Sequence, residues 1–273
     1  MLSAYLLSVF TVISASPALN PLPGIETKGL ESSDVSALVG LLGQGACPCV
    51  PKLSILQCIQ GKKCEKASQL AAFGADKFRE GLSTNQVSQA VIQKYIEDYV
   101  RYTFDVRNSP VKGAKNPRIT IVEFADFECP HCSSMRGVLG TVIKKYPKDV
   151  ALVFKQFPLP HHVHAHLASQ AALAAHNQGR FWEMHNLIFD NQMSLSTEKF
   201  GEFARSLSLD MAKFKADMHA ESTKAQIAKD RKEAMEAQIS GTPAIYINGR
   251  MFMDDKTPEK IGAFVDDLLK KQK

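Results

Sequence analysis

The chain contains 273 residues, of which 45% are hydrophobic and 22% are charged, which is the composition of a globular protein with a core of its own. Its 33 basic and 28 acidic residues are spread along the sequence and give a net charge of +5. There is no basic block interleaved with aromatic residues, so composition and charge exclude extended disorder and do not indicate nucleic-acid binding.

The N-terminal segment, MLSAYLLSVFTVISASPALN, has an apolar run from Leu2 to Ile13 followed by small residues. This pattern predicts a secretory signal peptide over residues 1–18, cleaved at Ala15 or Ala18, although no Lys or Arg precedes the apolar run. A buried helix or a short membrane anchor is the alternative. We therefore expect an exported protein, periplasmic or otherwise, and six cysteines favour an oxidising compartment.

Residues 19–106 are predicted to form a small helical region. An arm rich in Pro and Gly precedes a first helix that begins at Ser33. Helical periodicity continues over Glu65 to Arg79, and a further helix capped by Ser83 runs to about Tyr102.

This helical region contains four cysteines, Cys47, Cys49, Cys58 and Cys64. A bridge between Cys47 and Cys49 would close a strained ring, so we predict structural disulfides in which each of these two pairs with Cys58 or Cys64. Metal binding is the alternative, and it would make the protein a non-catalytic carrier or assembly factor. The spacing C-x-C-x8-C-x5-C lacks the C-x2-C pairs that are usual at zinc sites.

The most informative stretch runs from Ile119 to Cys132, ITIVEFADFECPHC. Its apolar run is typical of a central parallel strand that is covered on both faces. Glu123 interrupts this run, and burial would raise the pKa of its carboxyl group and disfavour the charged form. Such an acid indicates a site of proton exchange, whereas a solvated acid at the end of a strand is the alternative.

Two cysteines follow the strand, and the helical period of SSMRGVLGTVIKKY after Cys132 predicts that Cys129 is the first residue of a helix. At that position, free backbone N–H groups and the helix dipole lower the pKa of a thiol. His131 adds positive charge, and Pro130 suits the first turn. We predict that Cys129 attacks as the thiolate, that Cys132 is the resolving thiol, and that Glu123 exchanges the proton of Cys132.

The rest of the chain alternates strands with helices. Residues 108–117 are rich in turn-forming residues and indicate the start of a second domain. The pattern then predicts a second strand over Val150 to Phe157, parallel to the first, and about five helices over residues 162–239. A third strand over Ala244 to Asn248, an edge strand over Arg250 to Met253 and a final helix capped by Thr257 complete the chain.

Four histidines, His161, His162, His164 and His166, lie where the second strand ends and a helix begins. No carboxylate stands at ligand spacing from them, so we predict surface or capping histidines. The sequence accordingly indicates no metal site and no cofactor.

These motifs resemble the thioredoxin superfamily and, within it, the DsbA-like thiol-disulfide oxidoreductases. Pro130 and His131 between the cysteines are of the DsbA type, and Glu123 stands where that family has its buried acid. Gly241-Thr242-Pro243 resembles the family's cis-proline loop, and FKQFPL and GRFWEMHNLIF resemble segments of the DsbA-like subgroup. The resemblance covers about residues 107–273.

The resemblance implies an α/β fold, namely a thioredoxin fold with a helical insertion at about residues 162–239, preceded by the small cysteine-containing helical region. It also implies that Pro243 is cis and that backbone groups of Thr242 pair with an extended substrate. We predict that the protein exchanges its Cys129–Cys132 disulfide with cysteines of exported protein substrates, as an oxidant, and is served by a redox partner protein in the membrane or outside it. A disulfide isomerase or reductase is the alternative within the same class.

Overall fold

A computed structural model describes residues 21–61 and 64–272, and the predicted signal peptide lies outside these residues. The chain forms two compact units, the first up to Tyr95 and the second from Ile96 onward. The domain boundary that the sequence places between residues 106 and 107 stays a prediction. Within the described ranges, no helix has both the length and the apolar character needed to cross a bilayer.

The first unit is helical. It contains α1 (Ser32–Gln44), α2 (Ile55–Gln60), α3 (Glu65–Arg79) and most of α4 (Thr84–Tyr99). Its core is small, and a Cβ atom on Gly74 of α3 would meet the side chain of Leu38 at 2.8 Å and that of Val91 at 3.2 Å. The helices therefore approach closely only because this position carries no side chain.

Two disulfides, Cys47–Cys58 and Cys49–Cys64, close loops of 11 and 15 residues in this unit. Cys58 lies in α2, which the sequence pattern does not predict, and Cys64 is the N-cap residue of α3. The bridges thus fasten the segment after α1 to the next two helices. Sulfur atoms in disulfides are not thiolate ligands, so this arrangement argues against a metal site at these cysteines.

Replacing both Cys49 and Cys64 with Ser is expected to lower the free energy of unfolding of the first unit by about 3 kcal/mol, the chain-entropy value for a loop of this length. Urea unfolding of the full-length chain, followed by circular dichroism, measures the effect. Replacing Cys129 and Cys132 with Ser is the matched control, because it alters only the second unit. An unchanged unfolding transition in the Cys49/Cys64 variant would contradict the expectation.

The second unit is built on a five-stranded sheet in the order β1-β3-β2-β4-β5. Its strands are β1 (Val111–Gly113), β2 (Ile119–Ala125), β3 (Val150–Gln156), β4 (Ala244–Ile247) and β5 (Arg250–Met251). The central strands β2 and β3 are parallel and are joined by α5 (Pro130–Lys145), whereas the other three pair antiparallel with their neighbours. Both central strands are almost wholly buried, as their continuous apolar runs predict.

Strand β1 corrects the interpretation of residues 108–117 as turns alone. Three of these residues pair with β3, with Val111 opposite Val153 and Gly113 opposite Ala151. A strand of three residues is too short for an alternating pattern to reveal it. Gly113 has φ +104°, and a Cβ atom there would meet the Val150 carbonyl oxygen at 2.5 Å, so only glycine fits this edge. At the opposite edge, β5 ends at Met251 and does not extend to Met253.

The predicted helical insertion is confirmed between β3 and β4. It consists of α6 (Ala165–His176), α7 (Phe181–Asp190), a 3-10 turn (Gln192–Ser194), α8 (Thr197–Ser206), α9 (Met211–His219) and α10 (Glu221–Glu236). The last element of the unit is α11 (Pro258–Lys270), with Thr257 as its N-cap residue. The chain therefore has the predicted fold class, a thioredoxin fold with inserted helices, preceded in sequence by a cysteine-containing helical region.

A buried ion pair connects the insertion to the sheet. The Lys155 ammonium group of β3, which is fully buried, lies 2.9 Å from Asp230 and 2.7 Å from Glu233 of α10. It also donates to the backbone oxygen of Asp105, and the backbone N–H of Gln156 donates to Asp230. These partners compensate the desolvation of the lysine and fix the position of α10 on the sheet.

Candidate active site

Cys129 and Cys132 are free thiols at the start of α5, and only 6% and 1% of their surfaces are exposed. Cys129 is the N-cap residue, so the helix begins at Pro130, one residue later than the sequence pattern predicts. The proline stands in the first turn, where its missing N–H costs no hydrogen bond. The side chain of His131 is exposed on the same turn.

The surroundings of Cys129 lower the pKa of its thiol to about 5. The largest cause is a hydrogen bond from the Cys132 thiol, and burial acts in the opposite direction. The Thr242 side chain and the backbone N–H groups of Cys132 and His131 also lower this pKa. The buried Thr242 hydroxyl has no hydrogen-bond partner of normal geometry among the described residues, so it is available to donate to the thiolate.

Cys132 has the opposite tendency. Burial raises the pKa of its thiol, and the hydrogen bond that it donates to Cys129 and the negative charge of Glu123 raise it further. The two thiols therefore differ in pKa as well as in solvent exposure. Cys129 is the one held as the thiolate, whereas Cys132 keeps its proton.

Glu123 lies in the middle of β2, opposite Phe154 of β3, and is 2% exposed. Burial raises the pKa of its carboxyl group to about 8. The structure thus places this acid inside the sheet layer, near Cys132, and not at a solvated strand end. A carboxyl group with a pKa close to neutrality can both accept and return a proton at working pH.

The sequence interpretation missed Lys112, whose positive charge lowers the pKa of Glu123 against the larger effect of burial. Lys112 lies opposite Leu152 on β3, two residues from Phe154, so Lys112 and Glu123 share one face of the sheet. Its ammonium group lies 4.2 Å from the centre of the Trp182 ring. Only the recognition of β1 as a strand could have revealed this placement.

The Thr242–Pro243 peptide bond is cis and lies beside the cysteine pair. The Sγ atom of Cys129 lies 3.4 Å from the backbone oxygen of Thr242, 113 residues away in sequence, and donates to it only when the thiol is protonated. A cavity of about 420 Å³ opens next to this contact, lined by His131, Ser134, Met135, Val138, Thr242, Pro243 and Lys256. The structure therefore brings together all seven residues of the second unit that the sequence proposes for the site.

The loop before Cys129 is held by two carboxylates that the sequence did not single out. Asp126 is fully buried and accepts hydrogen bonds from the backbone of Leu159 at 2.6 Å and the ring of His162 at 2.8 Å. Glu128 accepts from the backbone N–H groups of His164 and Ala165, where α6 begins. Sequence spacing alone could not show that a carboxylate from before the cysteine pair reaches these histidines. No cluster of three or more potential metal ligands occurs in residues 21–61 and 64–272.

Comparison with known proteins agrees with this arrangement. A family model described as thioredoxin matches residues 105–267, more than half of the chain. A thioredoxin-like oxidoreductase from Silicibacter pomeroyi DSS-3 is 26% identical, with a TM-score of 0.54 over 60% of this chain and 94% of that chain. BdbD from Bacillus subtilis, in its oxidised form, is 24% identical with a TM-score of 0.54 over 63% and 98% of the two chains. The thiol-disulfide exchange protein alpha-DsbA2 from Wolbachia pipientis is 19% identical with a TM-score of 0.55 over 70% and 98%.

Curated relatives give a partial match of another kind. The Na(+)/H(+) antiporter NhaA 3 of Salinispora tropica is 34% identical over 156 residues, which are 57% of this chain and 24% of that protein. The chain thus spans about a quarter of the length of the curated relatives that it matches. The likeness concerns one part of those proteins, so it supports no inference of ion transport here.

Proposed function

The chain belongs to the thioredoxin family, and from that premise we propose that it is a DsbA-like protein thiol-disulfide oxidoreductase that oxidises cysteine pairs of exported proteins. In this proposal, residues 1–18 direct export, residues 19–106 form a stapled helical domain, and residues 107–273 carry the chemistry. The substrates are proteins with reduced cysteines, and a separate redox partner regenerates the disulfide. Neither a metal nor a cofactor is required.

The proposed reaction transfers two electrons from the substrate to the Cys129–Cys132 disulfide. A substrate thiolate attacks the sulfur of Cys129, the Cys129–Cys132 bond breaks, and Cys132 leaves with the electron pair and takes up a proton from Glu123. A second substrate thiolate then attacks the substrate sulfur of the mixed disulfide, and Cys129 leaves as the thiolate. The substrate gains a disulfide, the protein ends as a Cys129 thiolate and a Cys132 thiol, and Glu123 regains its proton from solvent.

The observation that carries the proposed direction is the low pKa of Cys129, about 5 against 9.0 for an unperturbed cysteine. The thiolate stabilises the reduced fold fully above about pH 9, and this stabilisation falls with pH and is lost below about pH 5. The oxidised protein has no thiolate and gains nothing from the same surroundings. At neutral pH the reduced form is therefore favoured, and the protein donates its disulfide.

Equilibration of the Cys129–Cys132 couple with glutathione tests this direction. We expect a reduction potential less negative than about −200 mV at pH 7. Reduction of the disulfide takes up one proton per two electrons above pH 5 and two protons below it. The slope of the reduction potential against pH should therefore change from about 30 mV per pH unit above pH 5 to about 59 mV per pH unit below it. Thiolate absorbance at 240 nm, with Cys129→Ser as the blank, checks the pKa independently.

A slope of about 59 mV per pH unit up to pH 8 would contradict the proposal, because it would mean that Cys129 titrates as an ordinary thiol. Two measurements test the isomerase alternative, namely the oligomeric state by sedimentation and the rate at which scrambled ribonuclease regains activity. A dimer that reshuffles scrambled disulfides faster than it oxidises reduced ones would favour an isomerase over an oxidant.

A further inference from the structure

Two cavities have Pro243 among their lining residues. The first, of about 420 Å³, has an apolar wall formed by Met135 and Val138 of α5. The second, of about 210 Å³, is lined on its apolar side by Ile239, Ala244, Ile245, Met251 and Phe252. Pro243 and Lys256 line both cavities, so together they form one divided groove beside the cysteine pair.

Lys256 is the one lysine among the residues that line these two cavities. Its side chain is exposed and makes no hydrogen bond or ion pair with any part of the chain that the structure describes. The neighbouring Asp254 is occupied by Lys260 at 3.2 Å and by the backbone N–H of Asp255. No Asp or Glu is among the residues that line either cavity.

The other wall of the first cavity carries His131, directly between the two cysteines. The lining therefore combines apolar surface with one ammonium group and one imidazole, and the exposed carboxylate of Asp255, next to Lys256 in sequence, is not part of it. An ammonium group on a flexible stem can meet a carboxylate at several positions along an extended segment. This charge distribution is complementary to an acidic segment and opposes a basic one.

We propose that Lys256 makes the protein select cysteine-containing segments that carry an acidic residue close to the cysteine, with neighbouring apolar side chains in the groove. The inference rests on the proposed function, since it concerns the choice of substrate by the same site. The occupant is a polypeptide segment, because the proposed substrates are proteins and the groove is lined by residues beside the cysteine pair that those substrates must reach.

The test uses oxidised full-length protein and three peptides, each with two cysteines, that differ only in having Asp, Asn or Lys next to the first cysteine. Peptide oxidation is measured by acid quench and chromatography, with wild type, Lys256→Met and Lys256→Glu. If Lys256 forms an exposed ion pair with the substrate, wild type should oxidise the Asp peptide faster than the Lys peptide. The ratio of the two rates in wild type should exceed the same ratio in Lys256→Met by about two- to fivefold. Dividing by the Lys256→Met ratio removes the intrinsic reactivity of each peptide thiol.

The matched control is Lys144→Met, which removes the same charge from an exposed position of α5 that lines neither cavity. It should keep the wild-type preference, whereas Lys256→Glu should reverse it and 1 M salt should weaken it. Equal ratios for wild type and Lys256→Met, with all peptides oxidised, would overturn the selection by Lys256 and leave the oxidant function standing. A failure to oxidise any peptide would instead overturn the proposed function.

Discussion

Cys132→Ser is expected to accumulate mixed disulfides with exported proteins, whereas Cys129→Ser accumulates none above background. In wild type the surroundings of Cys129 lower the pKa of its thiol to about 5, with the Cys132 thiol as the main donor. In Cys132→Ser a serine hydroxyl can donate in place of that thiol, and Cys129 stays at the start of α5, so it remains the attacking thiolate. The remaining cysteine in Cys129→Ser is 1% exposed and has a raised pKa, so it neither reaches a substrate nor ionises.

The trapped species are read from non-reducing gels as bands that disappear with dithiothreitol, after alkylation to stop exchange. The control is the double variant, Cys129→Ser with Cys132→Ser, which should resemble Cys129→Ser alone if the four cysteines of the first unit stay in their disulfides. Bands of equal intensity in the two single variants would contradict the assignment of attacking and resolving roles.

The parts of this site that follow from sequence are those encoded by local pattern. The apolar runs of β2 and β3 exceed what an amphipathic strand shows, and the helical period after Cys132 locates the helix start to within one residue. Glu123 was identifiable because an acid inside such a run contradicts its surroundings. Even the cis bond at Pro243 was expected, although only through the family resemblance.

The parts that the sequence does not reveal depend on contacts between distant segments. Lys112 reaches the face of Glu123 from a three-residue strand, and a pattern of that length carries no period. Asp126 meets His162 across 36 residues, where the segments that follow the paired strands β2 and β3 approach each other. In the sequence, Lys256 is indistinguishable from other surface lysines, and only the structure shows that it lines the same cavity as Pro243. These residues come near the reacting groups only in the folded chain, so the fold is needed to recognise them.

The pKa of Glu123 makes the resolving step the most informative one to measure against pH. For Cys132 to attack the sulfur of Cys129 in a mixed disulfide, its proton must leave, and burial makes water a poor acceptor. The Glu123 carboxylate can accept that proton. Since its pKa is about 8, its ionised fraction rises through the neutral range and levels off above pH 8. The rate of resolution in wild type should follow the same curve.

Glu123→Gln is therefore expected to slow resolution by about 100-fold at pH 7 and to remove the plateau above pH 8, because only solvent then takes the proton. Release of glutathione from a preformed mixed disulfide with Cys129, followed by rapid quench, measures the rate, and Glu123→Asp is the control that keeps a carboxylate and part of the rate.

The stability of the two proteins distinguishes this result from a loss of structure. Burial raises the pKa of Glu123 above its unfolded value of 4.5, so wild type loses stability as pH rises from about 4.5 to about 8, and the Gln variant does not. A Gln variant that is at least as stable at pH 8 and yet resolves slowly supports proton exchange by Glu123, whereas an unchanged rate across this pH range would show that the acid takes no part.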